Sequence, residues 1–168
     1  MKSIEIQNSF GIDSLNQVER TEPTPGPGQV VVRVRAASLN YRDLMVVKGS
    51  YNPKQKLPLI PLSDGAGEVV ATGLEATRVR AGERVAGTFF QEWTEGELTD
   101  QKARSSLGSP IDGMLAEYVV LNEDGVVHMP EHLTYEEAAT LPCAAVTAWH
   151  ALLTKGNLKA GETVLVQG

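Results

Sequence analysis

The apolar residues of this chain are spaced as in β-strands up to about residue 130 and as in helices after it. The strongest strand signal is VVVRVRAASL, which begins at Val30. Alternate positions of this run form an apolar face and a basic face: Val30, Val32, Val34 and Ala36 against Arg33 and Arg35. A period of two predicts a β-strand with one buried face.

Weaker strand signals lie on both sides of this run. Ile4 and Ile6 alternate with polar residues, which predicts a half-buried strand near the start. Further strands are predicted in DGAGEVVATG, ERVAGTF, MLAEYVVLN and GVVH. The glycines of DGAGEVV precede a strand rather than a helix, so this stretch does not match a phosphate-binding loop. They indicate a tight bend and close packing instead.

Two segments between the strands have a different character. NYRDLMVVKGSY, residues 40–51, predicts a short helix that ends at Gly49. Residues 91–113 are polar and without period, which predicts an exposed loop or lid. The acidic side chains of this loop are expected to be solvated: Glu92, Glu95, Glu97 and Asp100.

The pattern of the last part is helix, helix and strand. Thr134 and Glu137 have the spacing of a capping box at a helix start. CAAVTAWHALLTKG predicts a second helix, with Lys155 at its negative end and Gly156 as a left-handed cap. One more strand is predicted over Thr163–Val166. Many strands followed by this pattern predict a mainly β domain joined to the start of an α/β domain.

Composition excludes several classes of partner. The chain has 168 residues and a formal net charge of −6, from 15 basic and 21 acidic residues. Because nucleic-acid backbones and anionic membranes attract basic surfaces, neither is expected as a partner. The single cysteine, Cys143, permits no internal disulfide, and no apolar run is long enough to span a membrane. We therefore expect a cytoplasmic protein.

Three separated stretches resemble one family. AASLNYRDLMVVKGSY, IPLSDGAGEVVATG and TLPCAAVTAWHALL are similar, in order and spacing, to the medium-chain dehydrogenase/reductase superfamily. The similarity is greatest to its alcohol dehydrogenase-like and quinone oxidoreductase-like members. It implies a GroES-like β-barrel catalytic domain over residues 1–130. Residues 131–168 would be the truncated start of a nucleotide-binding Rossmann domain, and we expect a homo-oligomer.

Zinc-dependent members of the family hold a catalytic metal with a cysteine, a histidine and a second cysteine or an aspartate. The matching positions here are Asn40, Ser63 and Cys143, and only Cys143 is an ordinary zinc ligand. Residues 91–113, where some relatives carry a structural zinc lobe, contain no cysteine. The histidines match no ligand position: His128, His132 and His150. The resemblance therefore implies an enzyme without zinc.

A site without a metal favours particular substrates. Oxidation of a simple alcohol benefits from a Lewis acid that stabilises the alkoxide. A quinone or an α,β-unsaturated carbonyl compound is already electrophilic, and positioning with one or two hydrogen-bond donors can suffice. We therefore expect a small-molecule carbonyl or quinone substrate that is reduced by hydride transfer from a nicotinamide cofactor, NADP or NAD.

Resemblance also implies the site residues. Asn40, Tyr41 and Tyr51 are the catalytic candidates in the wall of the substrate cleft. Asn40, Thr147 and Gly168 are the candidates for cofactor binding, with Gly168 at the start of the phosphate-binding loop. From the residues alone, the two tyrosines suit packing at a domain rim, and Thr147 suits a hydroxyl bonded to the preceding helical turn.

Two other interpretations stay open. One is a zinc-dependent alcohol dehydrogenase-like enzyme, in which Cys143 and the carboxylates of Asp43 and Asp64 form an unusual site. The other is a non-catalytic β-barrel interaction module, since a GroES-like barrel does not dictate chemistry. For residues 1–168 alone we expect folding mainly through the barrel, a loosely held segment after Leu133, and neither useful cofactor binding nor turnover.

Overall fold

Most of the predicted strands and helices are present in the predicted order. The computed structural model describes residues 1–167. Its strands are β1 (Lys2–Ile6), β2 (Leu15–Glu19), β3 (Gln29–Ser38), β4 (Asp64–Thr72), β5 (Arg84–Gly87), β6 (Tyr118–Asn122) and β7 (Val126–His128). Its α-helices are α1 (Tyr41–Val47), α2 (Asp100–Ala103), α3 (Tyr135–Ala139) and α4 (Val146–Trp149). Two π-helical stretches, Leu141–Ala145 and His150–Lys155, flank α4, and the three pieces form the long helix, residues 141–155.

Strand β3 lies at the centre of the strand pairing. It pairs antiparallel with β4 on one side and with β6 on the other. Strand β5 then pairs with β4, and β7 pairs with β5, which gives the order β6-β3-β4-β5-β7. Within residues 1–167 no ladder joins the two edge strands. Strands β1 and β2 form a separate antiparallel pair.

The main core lies along one side of this sheet. It contains alternate residues of β3, Val30 and Val32, together with apolar residues of the other strands and of the loops between them. The largest of these are fully buried: Val69, Val85, Leu107, Met114, Leu121 and Val126. The predicted apolar face of β3 is therefore confirmed at its first half, where it meets this core.

Strand β4 confirms the interpretation of DGAGEVV as a closely packed strand. A side chain at Gly67 would place its Cβ atom 2.1 Å from the carbonyl oxygen of Arg33 in β3. A Cβ atom at Gly65 would lie 2.7 Å from the terminal methyl group of Met114. Because the obstacle at Gly67 is the backbone of the paired strand, that position requires glycine, whereas a side chain at Gly65 would require Met114 to move.

The first strand differs from its prediction. Ile6 is buried and Ile4 is only half-buried, whereas Ser3 and Glu5 are buried on the opposite face. The strand is hydrogen-bonded along both edges, to β2 and to Leu59 and Leu115. Its second face is also covered, because Gln7 and Arg20 bond to the Glu5 carboxylate. A strand covered on both faces does not show a clean alternation.

The Glu5 carboxylate is stabilised inside the protein by three side chains. The Ser3 hydroxyl donates to it over 3.0 Å and the Gln7 amide over 2.8 Å. The guanidinium of Arg20 donates to it directly and also reaches Asp112 over 2.9 Å. These two carboxylates raise the pKa of Arg20, with Glu5 as the larger cause.

Residues 91–113 also differ from the prediction of an exposed loop. The acidic side chains of its first part are exposed as expected, and a short helix, α2, follows them. The second part is buried instead, at Ser105, Ser106, Leu107 and Ser109. It is drawn inward because its backbone carbonyls accept hydrogen bonds from Arg42, far away in the sequence.

The capping box at the start of α3 is confirmed. The backbone N–H of Glu137 donates to the Thr134 hydroxyl over 3.2 Å, and the Glu137 carboxylate accepts from the backbone of Thr134 over 2.8 Å.

The predicted second helix is present as the long helix, but the prediction of a left-handed cap at Gly156 is wrong. Gly156 has a φ of −77°, and the left-handed residue is Asn157 with a φ of 51°. Gly156 instead allows close approach to the carbonyl oxygens of Ala151 and Leu152.

The strand predicted over residues 163–166 is not formed. This segment follows the long helix without joining a ladder, and its apolar side chains are exposed: Val164, Leu165 and Val166. A strand requires a hydrogen-bonded neighbour, and no described strand lies beside it. Gly168, the expected first glycine of a phosphate loop, lies outside the described residues.

Among residues 1–167, the structure contains no helix with the length and apolarity needed to cross a bilayer.

The buried carboxylate of Glu5 makes Arg20 important for stability. Arg20→Met removes its counter-charge and should lower the free energy of unfolding by about 1.5–3 kcal/mol in urea titrations. The matched variant Asp112→Asn removes the other, half-exposed partner and should cost less than about 1 kcal/mol. Glu5→Gln in the Arg20→Met background should recover part of the loss. Equal destabilisation by Arg20→Met and Asp112→Asn would contradict this role of Glu5.

Candidate functional site

A large cavity lies between the sheet and the long helix. Its volume is about 1030 Å³. One wall comes from the end of β5 and the residues after it, and the other comes from the long helix. The backbone around β7, with Met129 and Pro130, contributes to the lining between them. A cavity of this size and mainly apolar lining is typical of small-molecule sites.

Aromatic side chains form one end of the cavity. The Phe89 and Phe90 rings meet edge to face with centroids 4.7 Å apart, and Phe90 meets Trp93 in the same way at 5.5 Å. The indole N–H of Trp93 donates to the carbonyl of Gly96 over 2.8 Å, which fixes the ring. Sequence reasoning missed these residues, although three aromatic residues within five positions, in a chain with 5% aromatics, were a usable signal.

The long helix contributes Cys143 and Thr147 to the opposite wall. Burial raises the pKa of the Cys143 thiol, and the charges of Asp64 and then Asp43 add to this effect. The positive charge of Arg42, which has a larger effect than the charge of Asp43, and the hydroxyl of Thr147 lower the pKa in part. Cys143 therefore carries its proton at neutral pH.

Asp64 connects this helix to the sheet. Its carboxylate is fully buried and accepts a hydrogen bond from the backbone N–H of Cys143 over 2.9 Å. Its other oxygen accepts from the Ser63 hydroxyl over 2.6 Å. The first residue of β4 thus holds the start of the long helix beside the cavity.

The first turn of α1 lies close to the same carboxylate. The backbone N–H of Asn40 donates to the Asp43 carboxylate over 2.8 Å, which caps the helix. Asp43 is buried, and burial raises its pKa, with a smaller contribution in the same direction from Asp64. The Asn40 hydrogen bond and the charge of Arg42 lower it in part.

Arg42 links α1 to both aromatic and loop residues. Its guanidinium carbon lies 4.6 Å from the ring centroid of Tyr51 and 4.7 Å from that of Phe89. The same group donates to the carbonyl of Leu107 over 3.0 Å and to that of Ser109 over 2.7 Å. Sequence reasoning did not identify this residue, because its partners are distant in the chain.

Three buried polar atoms in this turn have no hydrogen-bond partner within residues 1–167. They are Asn40 Nδ2, Arg42 Nε and Asp43 Oδ1. A buried unpaired polar atom costs about 1–3 kcal/mol, so such a group in a folded protein calls for an explanation. One explanation is a ligand or solvent molecule that completes these hydrogen bonds. The unpaired atoms would then form a polar subsite beside α1.

The structure divides the sequence-predicted site residues into two groups. Asn40 lies at the start of α1, and Tyr51 lies over Arg42, beside a smaller depression of about 440 Å³. Thr147 lines the large cavity. Tyr41 is 78% exposed and lines neither depression. Cys143 lines the cavity, and its backbone N–H donates to Asp64.

The residues at the zinc-ligand positions do not match the donors that zinc requires. Of the three positions, Asn40 is an amide and Ser63 is a hydroxyl that donates to the buried carboxylate of Asp64, which also accepts from the backbone of Cys143. In the part of the chain that is described, no three His, Cys, Asp or Glu side chains are grouped so that they could hold a metal. A catalytic zinc needs about three nitrogen, sulfur or carboxylate ligands.

Comparison with known proteins identifies the family. The alcohol dehydrogenase GroES-like domain matches residues 26–131. A zinc-type alcohol dehydrogenase-like protein of Schizosaccharomyces pombe is 43% identical over 94% of this chain and 46% of its own length. A solved NAD-dependent alcohol dehydrogenase has a TM-score of 0.86 at 30% identity, over 96% of this chain and 49% of that one.

A quinone oxidoreductase structure from Coxiella burnetii is also similar, with a TM-score of 0.77 at 29% identity over 96% of this chain and 47% of that one. This chain thus spans less than half the length of these three proteins. Its sheet, its cleft and its matched domain agree with the resemblance of the three sequence stretches. The chain belongs to the medium-chain dehydrogenase/reductase superfamily and carries that family's GroES-like domain.

Proposed function

We propose that this chain forms the catalytic part of an NAD(P)H-dependent oxidoreductase that reduces quinones, enones or related carbonyl compounds without zinc. The proposal is carried by the apolar, aromatic-ended cavity, and the unpaired donor atoms of Asn40 and Arg42 at α1 support it. The two kinds of surface suit the two parts of a conjugated carbonyl compound. Its flat apolar part packs against rings, and its oxygen requires hydrogen bonds.

The described residues have separate tasks in this proposal. A nicotinamide cofactor, when bound, would supply the hydride. The unpaired Nδ2 of Asn40 and the hydroxyl of Tyr51 would donate to the acceptor oxygen, where negative charge develops. Thr147 would contact the nicotinamide from the long helix, and a proton from solvent completes the product. Tyr41, at the exposed start of α1, would contribute only at the rim of the cleft.

The division of the chain is part of the same proposal. Residues 1–130 would be the catalytic domain, and residues 131–168 would open the nucleotide-binding domain, with Gly168 in its phosphate loop. The complete protein would work in the cytoplasm as a homo-oligomer. The net charge of −6 supports a small-molecule partner over nucleic acid or an anionic membrane.

The first test concerns the metal. The whole protein, purified without added metal, should contain far less than one zinc per chain by elemental analysis. Because the pKa of Cys143 is raised, its thiol stays protonated to a higher pH than that of free cysteine. Alkylation by iodoacetamide should therefore rise with pH along a curve displaced to higher pH than that of the urea-unfolded chain. If the protein contains one zinc per chain and the Cys143→Ala variant contains none, the zinc-dependent alternative is favoured and the proposal is contradicted.

The second test concerns the donors. Asn40→Ala and Tyr51→Phe should each lower kcat/KM for an enone and a quinone by up to about 10²–10³, the usual effect of removing a donor that acts on the transition state. Tyr118→Phe, in β6 and away from both depressions, is the matched control and should leave kcat/KM unchanged. If kcat/KM of both site variants is close to that of the wild type, Asn40 and Tyr51 have a packing role only.

The third test concerns Arg42. Arg42→Lys keeps the charge but loses the planar fork that stacks on Tyr51 and Phe89 and bonds two carbonyls. Since misplacement of positioned groups by about 1 Å can cost about 10²-fold in rate, we expect kcat to fall by about 10- to 100-fold with a smaller change in KM. The exposed Arg80→Lys is the control. A loss of thermal stability with unchanged kcat would show that Arg42 is structural only.

A further inference from the structure

The large cavity carries basic groups at the end of the long helix, and their presence bears on the substrate. We propose that the preferred acceptor has an apolar, conjugated head and a carboxylate or phosphate on a tail, which His150 and Lys155 bind. This inference rests on the proposed function and names the substrate class of the same site.

The first observation is the charge of the lining. The chain as a whole has more acidic than basic residues, 21 against 15. The described residues that line the cavity nevertheless include no aspartate and no glutamate. Their titratable nitrogen groups belong to His128, His150 and Lys155. A cavity lined by apolar surface and basic groups attracts an amphipathic anion.

The second observation separates these three side chains. His128 is already paired, because its Nε2 lies 2.9 Å from the Glu83 carboxylate, which itself does not line the cavity. This contact is the largest cause of the lowered pKa of Glu83. His150 and Lys155 form no salt bridge within residues 1–167. Their donors are therefore the ones free to bind an anion from solution.

The third observation is the direction of the helix. Cys143, Thr147, His150 and Lys155 line the cavity one after another along the long helix. At the α-helical rise of about 1.5 Å per residue, which is an upper bound for a helix with π-helical turns, His150 lies up to roughly 10 Å along the axis from Cys143 and Lys155 up to roughly 18 Å. A short quinone in contact with the rings cannot reach both ends. An acceptor with a tail of this length can place its head near Cys143 and its charge at His150 and Lys155.

An anion at this position has two possible sources. It is either the tail of the acceptor or a phosphate of the dinucleotide cofactor. Both share the same chemistry, and separate measurements distinguish them. Kinetics with a matched acid and ester at saturating cofactor report the acceptor, and equilibrium titration with NADPH or NADH reports the cofactor.

The experiment uses straight-chain enones that carry a terminal carboxylate about 5, 10 or 15 Å from the carbonyl carbon, distances set by the helix rise, and their methyl esters. With the whole protein at low salt, the two longer acids should have kcat/KM values about fivefold to tenfold above those of their esters. The shortest acid should show no preference. The preference should shrink as the ionic strength rises, because salt screens partly exposed charges.

Two variants locate the effect. Lys155→Gln and His150→Gln should each reduce the acid-to-ester ratio towards one, while kcat/KM for the esters stays unchanged. Lys48→Gln, an exposed lysine that does not line the cavity, is the matched control and should keep the ratio.

The outcomes separate this inference from the proposed function. Reduction of no enone at all, acid or ester, contradicts the proposed function. Equal reduction of acids and esters at every length leaves that function intact and overturns the inference. A ratio that survives Lys155→Gln and His150→Gln overturns it as well. If these variants weaken only the affinity for NADPH or NADH, the anion belongs to the cofactor and the substrate assignment is wrong.

Discussion

The buried carboxylate of Asp64 is the interaction on which the arrangement of the site depends. It lies at the start of β4 and accepts hydrogen bonds from the Ser63 hydroxyl and the backbone N–H of Cys143. A buried charge is costly unless it is bonded, so these contacts must persist while the protein is folded. Because one of them comes from the long helix, the carboxylate fixes that helix at the sheet and creates the cavity between them.

Arg42 extends this constraint to the other side of the cleft. It stacks between Tyr51 and Phe89 and bonds the backbone of residues 105–109. The cost of this arrangement is visible in the same turn, where polar atoms of Asn40, Arg42 and Asp43 are buried without partners. Proteins tolerate such strain mainly where it serves a function. In the proposed function, Nδ2 of Asn40 is one of the donors that the acceptor oxygen would use.

The sequence predicted the parts of the fold that depend on local pattern. The alternation in β3, the capping box of Thr134 and Glu137, and the glycine packing of β4 each follow from neighbouring residues. The burial of Glu5 and of residues 105–109 did not follow, because each depends on an arginine distant in the chain. The strand predicted over residues 163–166 had the right composition, but strand formation also requires a partner.

The candidate site was predicted only in part, for a similar reason. Resemblance pointed to Asn40, Tyr51 and Thr147. Of these, Thr147 lines the cavity, whereas Tyr51 lies over Arg42 and neither Tyr51 nor Asn40 is part of the cavity lining. It gave no indication of the aromatic end or of Arg42, since their importance comes from contacts between rings and a guanidinium. The basic end of the cavity depends on which face of the long helix turns inward, and a helix exposed on most sides has no strong pattern to reveal it.

The central claim is that this cleft transfers hydride to a conjugated acceptor without a metal. The most direct measurement is product analysis after turnover of an enone by the whole protein, with a nicotinamide cofactor deuterated at its transferable position and excess EDTA present. The account predicts undiminished turnover and one deuterium on the former β-carbon of the saturated product. Turnover that EDTA abolishes and zinc restores, or deuterium found on the carbonyl carbon of an alcohol product, would contradict it.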